Sequence, residues 1–362
     1  MAGGSAGGSA GSGFGAGGRS VSPCNGIDLT SDTSDCGQCG HDCLGATCSK
    51  GLCAGTVVGS YLGEGQFIVD GDALYVNTGQ AIVKQPTNGG AATTLYTGNR
   101  SIYDLRAYQG TIYFVADDGG VDRDGNSTTG IFSVPESGGQ KAPLFTGFSN
   151  PVAHLAVAGS TVSFASWCSA VYTMPLAGGT PTPLTSTACN VFGDRPYAVD
   201  PSGTYGYDVD SDSGALFRVE LSTGKVETLS PSFYAGEMVV TGSRLYWTET
   251  SNCTGSYPFA VCNSGEIGVM NTDGTGAASF VDITPLVPSG GYQSFGSLVF
   301  DDERLYFEII DTKEGTKVYS VPLAGGTPVL LVDATLGGTP GLAVDSKYVY
   351  YSRDAQIERV AK

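Results

Sequence analysis

Five cysteines and one histidine fall within residues 36–53, CGQCGHDCLGATCSKGLC. Soft ligands this close together suit either a zinc site or a set of disulfides. Structural zinc sites pair two short ligand clusters across a long spacer. Here the cysteines are spread at intervals of two to four residues, with Cys24 further upstream, which suits three disulfides among Cys24, Cys36, Cys39, Cys43, Cys48 and Cys53. Their connectivity stays open, and His41 is expected to be an exposed loop residue. Four more cysteines, Cys168, Cys189, Cys253 and Cys262, lie far downstream. Their even number and spacing predict the pairs Cys168–Cys189 and Cys253–Cys262. Ten cysteines in disulfides place the chain in an oxidising compartment, extracellular or on the cell envelope.

Two other sets of residues carry chemistry. Asp117, Asp118, Asp122, Asp124 and Asn126 crowd one segment, and Asp208, Asp210 and Asp212 alternate in another. Clustered oxygen ligands suit calcium, although neither segment follows EF-hand spacing. Asp104, His154 and Glu237 each stand just before an apolar strand, a mixed acid–base set that suits ligand binding or proton transfer at a shared opening. Trp167 and Trp247 close two strands and are candidate stacking platforms. No catalytic residue is assigned. A nucleophilic serine motif with a partner histidine is missing from the sequence, and two histidines in all are few for a paired-metal site.

The elements that would position these residues come from an internal repeat. One unit recurs seven times after residue 55. An apolar strand, a tight turn and an aromatic-ending strand are followed by a gap, a short strand, a Gly-rich turn and a Thr/Leu-rich strand. EMVVTGSRLYW (237–247) with EIGVMNTDGTGAASFV (266–281) is the clearest copy; 197–230 is the least regular. The second-strand markers are Tyr75, Tyr113, Ser163, Tyr205, Tyr246, Tyr306 and Tyr350, spaced by 38 to 60 residues. Four-strand units of this length predict an all-β fold, a β-propeller of seven four-stranded blades, or six if the weak copy is irregular. The last unit lacks its fourth strand, and 56–63 supplies an orphan strand to complete it and close the ring. The domain reading is a Gly/Ser/Ala tether at 1–22, a cysteine-rich disulfide module at 23–54 and the propeller at 55–362.

In this arrangement Gln66, Asp104, His154, Pro196, Glu237, Ser297 and Gly341, each just before the core of a first strand, are expected to ring the channel mouth. The segments between second and third strands are the long ones, at 116–130, 208–214, 248–265 and 308–316. They predict a binding face around that mouth.

Two resemblances follow from these motifs. Cys24, Gly26, Asp35, Cys36, Gly37, Cys39, Gly40, Cys43, Cys48, Gly51 and Cys53 are similar to the module of the stigma-specific cysteine-rich family, also familiar from secreted or lipid-anchored myxobacterial proteins. The likeness spans 24–53 and implies an extracellular setting without an activity. Tyr246-Trp247-Thr248-Glu249 and GLAVD at 341–345 resemble the YWTD propellers and their bacterial relatives, a six-bladed family.

Composition narrows the partners. Eighteen basic against thirty-five acidic residues give a net charge of −17, which repels phosphate backbones and argues against nucleic acid. No apolar run approaches the ~20 residues of a transmembrane helix. The start does not read as a signal peptide, so an export signal is expected to have been trimmed or to lie upstream. The resulting expectation is a monomeric recognition scaffold for a protein or glycan, with no cofactor beyond calcium. The alternative is a secreted hydrolase or lyase with its site at the channel mouth.

Overall fold

In the strand Arg304–Asp311, Tyr306 and Phe307 point to opposite faces and both are fully buried. A strand that is apolar on both faces has to lie between two other sheets. The second strand of every repeat is likewise buried on both faces, and stacking such units side by side closes a ring. The structure, a computed structural model, describes residues 27–60, 66–98, 100–121, 127–149, 152–166, 170–185, 196–210, 213–233, 235–254, 261–286, 294–311, 315–333 and 341–362.

The ring has seven four-stranded antiparallel blades: blade 1 at 67–97, blade 2 at 102–148, blade 3 at 152–183, blade 4 at 197–230, blade 5 at 238–282, blade 6 at 294–333 and blade 7 at 342–361. Blade 7 takes its outermost strand, Thr56–Ser60, from the start of the chain. Thr56 pairs with Arg359 and Ser60 with Gln356. The first strands touch their neighbours in sequence, and that of blade 7 returns to that of blade 1. Seven blades exceed the six that the YWTD resemblance implies. Among the described residues no helix is long and apolar enough to cross a membrane.

The repeat tyrosine always faces the next blade. Tyr306 packs with Leu342 and Val349 of blade 7, and Tyr350 with Phe67 and Leu74 of blade 1. In blade 4 the equivalent residue is Tyr207, two positions beyond the expected Tyr205. Tyr207 lies opposite Arg218, as Tyr350 lies opposite Arg359 and Tyr75 opposite Lys84. The turn entered at Asp200 closes on Tyr205, where the turn entered at Asp345 closes on Tyr348, so blade 4 carries a longer turn.

These tyrosines also pin the turn between the first two strands. The Tyr350 hydroxyl donates to Asp345 Oδ2 at 2.6 Å, and Asp345 Oδ1 accepts the amides of Lys347 and Tyr348 at 2.7 Å each. Asp301 and Tyr306 repeat the arrangement at 2.8 Å. Basic residues on the third strands of blades 1, 4 and 7 then tie each of these blades to the turn between the third and fourth strands of the next. Lys84 donates to the Glu136 carbonyl at 3.2 Å, Arg218 to that of Thr272 at 2.8 Å and Arg359 to that of Thr87 at 2.5 Å. Tyr350→Phe should leave one carboxylate oxygen short of a partner and lower stability by about 1 kcal/mol in urea titration. No change in midpoint would remove the pinning role.

The Gly-Gly turns have a steric reason. Gly178 and Gly179 both take positive φ, at 91° and 142°. The Gly179 amide donates to the Leu144 carbonyl of blade 2 at 3.2 Å, and a Cβ on Gly178 would sit 3.0 Å from that oxygen. Only glycine allows both the conformation and the approach.

The cysteine-rich segment folds against the propeller. Cys36–Cys48 and Cys43–Cys53 are disulfides, and Cys39 is also disulfide-bonded. Cys24, Cys168 and Cys189 lie outside the described residues. Cys262 is disulfide-bonded, and Cys253 stands directly opposite it in the strand register. His41 corrects the expectation of an exposed loop residue. It is buried, its ring nitrogens 2.7 Å from the Cys36 carbonyl oxygen and 3.4 Å from that of Ala361 in blade 7. A segment so poor in apolar residues uses its imidazole as core.

Candidate functional site

A first strand enters the ring at the mouth, and its opening residue faces the axis because the blades stand radially. All seven positions expected there (Gln66, Asp104, His154, Pro196, Glu237, Ser297 and Gly341) line a central cavity of about 1010 Å³. Blade 2 adds Tyr103, Arg106, Asp117 and Thr129 to the wall. Deeper in the channel the lining turns apolar, with Val69, Val239, Val299 and Val344.

Several polar groups at the mouth are structural ties between blades. Gln66 Oε1 accepts the Leu105 amide of blade 2 at 2.8 Å. Asp104 Oδ2 accepts the Leu155 amide of blade 3 at 2.7 Å, while its Oδ1 takes Arg106 Nη1 at 2.5 Å. Asp104 is buried and occupied on both oxygens, which leaves it poorly placed for acid–base work. His154 is half-buried and Glu237 exposed. The Glu237 amide is held by Thr248 Oγ1 at 2.9 Å.

Glu308, at the start of the 308–316 segment between second and third strands, lies behind this ring. It lies within the buried part of its strand at 1% exposure and accepts the Ser297 amide at 3.1 Å. Burial pushes its carboxyl up to about 7, opposed by the Ser297 and Gly341 backbone amides and reinforced by the Glu237 charge. The signal for it was a charged residue directly after the Tyr306-Phe307 pair, at a position where other blades carry Asn77, Thr248 and Ser352, all buried.

The long segments around the mouth are largely β-hairpins rather than loops. Thr111–Val121 pairs with Ser127–Pro135, Arg244–Thr254 with Val261–Asn271, and Arg304–Asp311 with Gly315–Pro322. Tyr103 is exposed at the mouth and donates its hydroxyl to Asp117 at 3.0 Å. This aromatic was missed because a Tyr at a strand start reads as ordinary strand composition.

The other candidates separate. Trp247 is buried between blades 4 and 5, its ring 4.9 Å from that of Phe233. It is core and not a platform for a ligand, because its position on the strand points it sideways into the preceding blade. Trp167 lies outside the described residues, as do Asp122, Asp124, Asn126 and Asp212; of Asp118 only the backbone is described. Asp208 is fully buried and accepts the Val209 amide at 2.8 Å. Asp210 caps its own turn through the Ser213 amide and hydroxyl at 2.7 and 2.8 Å. Among the described residues, the ligating atoms of Cys36, Cys43 and Cys53 are the only His, Cys, Asp or Glu group that clusters, within 4.8 Å, and these sulfurs are in disulfides.

No family model matches the chain, and no curated protein matches it in sequence. Its likeness to solved structures is one of shape. The structure described as YCF48 bound to D1 peptide is 12% identical, covers 84% of this chain and 93% of its own, and superposes with a TM-score of 0.56. YCF48 from Cyanidioschyzon merolae gives 11% identity, 84% and 96% coverage and a TM-score of 0.56. The N-terminal domain of Nup159 gives 8% identity, 85% and 95% coverage and a TM-score of 0.54. At such identities the likeness establishes the β-propeller fold alone.

Proposed function

We propose that this chain is a recognition scaffold, displayed outside the cell or on its envelope, that takes a protein or glycan ligand at the channel mouth. The observation that carries this reading is the cavity of about 1010 Å³ opening on the face where the long hairpins stand. Concave sites on rigid scaffolds are where ligands bind. An exposed Tyr103 at the rim supplies the aromatic surface that interfaces favour. A propeller of similar shape, YCF48, is bound to a peptide, which supports a protein ligand. The disulfides of the cysteine-rich segment support an oxidising compartment, in keeping with its likeness to secreted stigma-specific and myxobacterial modules. Monomeric display and calcium in the acidic hairpins belong to the same reading.

Binding of the purified chain to a peptide library and a glycan array tests it. Tyr103→Ala combined with Glu237→Ala should weaken any saturable binding roughly tenfold or more. Asp72→Ala, on the exposed turn at the opposite face, should not. Binding insensitive to the mouth, or turnover of a polysaccharide or ester, would replace this reading with the hydrolase or lyase one.

A further inference from the structure

We propose that the cysteine-rich segment is a disulfide-locked clamp on the seam that closes the propeller, and that the seam opens when a dithiol reduces Cys36–Cys48 and Cys43–Cys53. The juxtaposition behind this is specific. The ring is closed where the first propeller strand, Thr56–Ser60, pairs with the last, Gln356–Ala361. That ladder is short, and its register shifts between Val57 and Gly59. The segment ending at Cys53 runs straight into it.

The clamp grips both sides of the last inter-blade groove. Cys36, Cys43 and Cys53 share one buried cluster with Tyr306, Val318 and Leu331 of blade 6 and with Leu342, Tyr351 and Val360 of blade 7. His41 reaches the carbonyl of Ala361, next to the chain end. Between clamp and strand, Gly55 lies flat on blade 7. A Cβ there would stand 2.2 Å from the Tyr351 hydroxyl and 2.3 Å from Glu358 Oε2. Those two side chains are themselves hydrogen-bonded at 2.5 Å.

The clamp depends on its disulfides because it has almost no other core. Among residues 27–54 only Cys36, His41, Cys43 and Cys53 are buried, whereas Ile27 and Leu44 are exposed. A segment of this size without cross-links cannot bury enough surface to stay folded. In each reduction, one thiolate of the dithiol attacks a cystine sulfur to form a mixed disulfide. The second thiol closes on the first and leaves as the oxidised dithiol. The cysteine pair gains two electrons and two protons and is released as two thiols. Cys36 and Cys43 are at most 2% exposed, so attack follows a local opening of the clamp.

Hydrogen exchange read by mass spectrometry on the full chain tests this. After treatment with dithiothreitol, amides of 56–60 and 356–361 should exchange about tenfold faster or more, while blades 2 to 4 keep their protection. Cys43→Ser with Cys53→Ser, without reductant, should reproduce this seam-specific pattern and separate it from the disulfide at Cys262. His41→Ala should accelerate the seam severalfold with the disulfide mass unchanged. Unchanged seam exchange on reduction would overturn the proposal. So would an equal rise in all seven blades, which would make the disulfides a general stabiliser. If the cysteine variant does not accumulate, the reduced wild-type chain still decides between these outcomes.

Discussion

Phe307→Ala is expected to lower the unfolding free energy by roughly 3–5 kcal/mol, read as a shift of the urea midpoint. Phe307 is fully buried between blades 5 and 6 with Tyr246, Ile267, Val281 and Leu298. Its ring stacks on Tyr319, centroids 5.5 Å apart at 17°, and meets Phe295 at 6.4 Å. Truncation removes the transfer free energy of the ring and leaves a cavity that two rigid sheets cannot collapse to fill. The loss should show first as faster hydrogen exchange in blades 5 and 6. Phe307→Leu should recover a large part of it. A destabilisation below about 1 kcal/mol would mean that the blade interface relaxes and that this packing is not what holds the two sheets together.

Glu308→Gln is expected to remove a pH dependence of stability and to stabilise the chain above pH 7. Burial raises the Glu308 carboxyl from 4.5 to about 7. The folded state therefore binds this proton more tightly than the unfolded state does. The contribution of Glu308 is fully favourable below about pH 4.5, is lost as the pH rises through about 7, and is constant above that. The shift corresponds to about 3 kcal/mol of penalty on the ionised form. Glutamine keeps an acceptor for the Ser297 amide and carries no charge to bury. The measurement is the urea midpoint of both proteins at pH 5 and pH 8. The wild type should fall relative to the variant between the two. Parallel behaviour would show that Glu308 is hydrated in solution. The same titration bears on the mouth, because Glu308 lies behind Ser297 and responds to the charge of Glu237.

The two predictions rest on adjacent residues whose legibility in the sequence differed. Tyr306 and Phe307 were readable as strand residues because alternation and a following turn are local properties of the chain. Their partners were not readable, since Tyr306 meets blade 7 and Phe307 blade 5, contacts that exist only once the ring is assembled. Glu308 read as the start of a loop because a charge after two aromatics ordinarily marks the surface. The strand instead continues to Asp311, and the neighbouring blade covers it. Trp247 closed its strand where a ligand platform was expected, but blade 4 covers its face.

What the sequence determined by itself was the four-stranded repeat, the strand ahead of the first repeat that closes the ring and the seven residues of the channel mouth, while the choice of seven blades over six came from the structure. Each follows from periodicity along one strand and from its distance to a turn. A side chain's direction is set by its place in the pleat, whatever lies across from it. Only the tertiary structure decided that His41 is core, that Asp104 is a tie between blades, that Tyr207 takes the place expected of Tyr205, and that the cysteine-rich segment grips the closing seam. Each of these depends on which surface arrives opposite a residue, and burial, hydrogen-bond partners and the proton affinity of Glu308 are properties of that pairing.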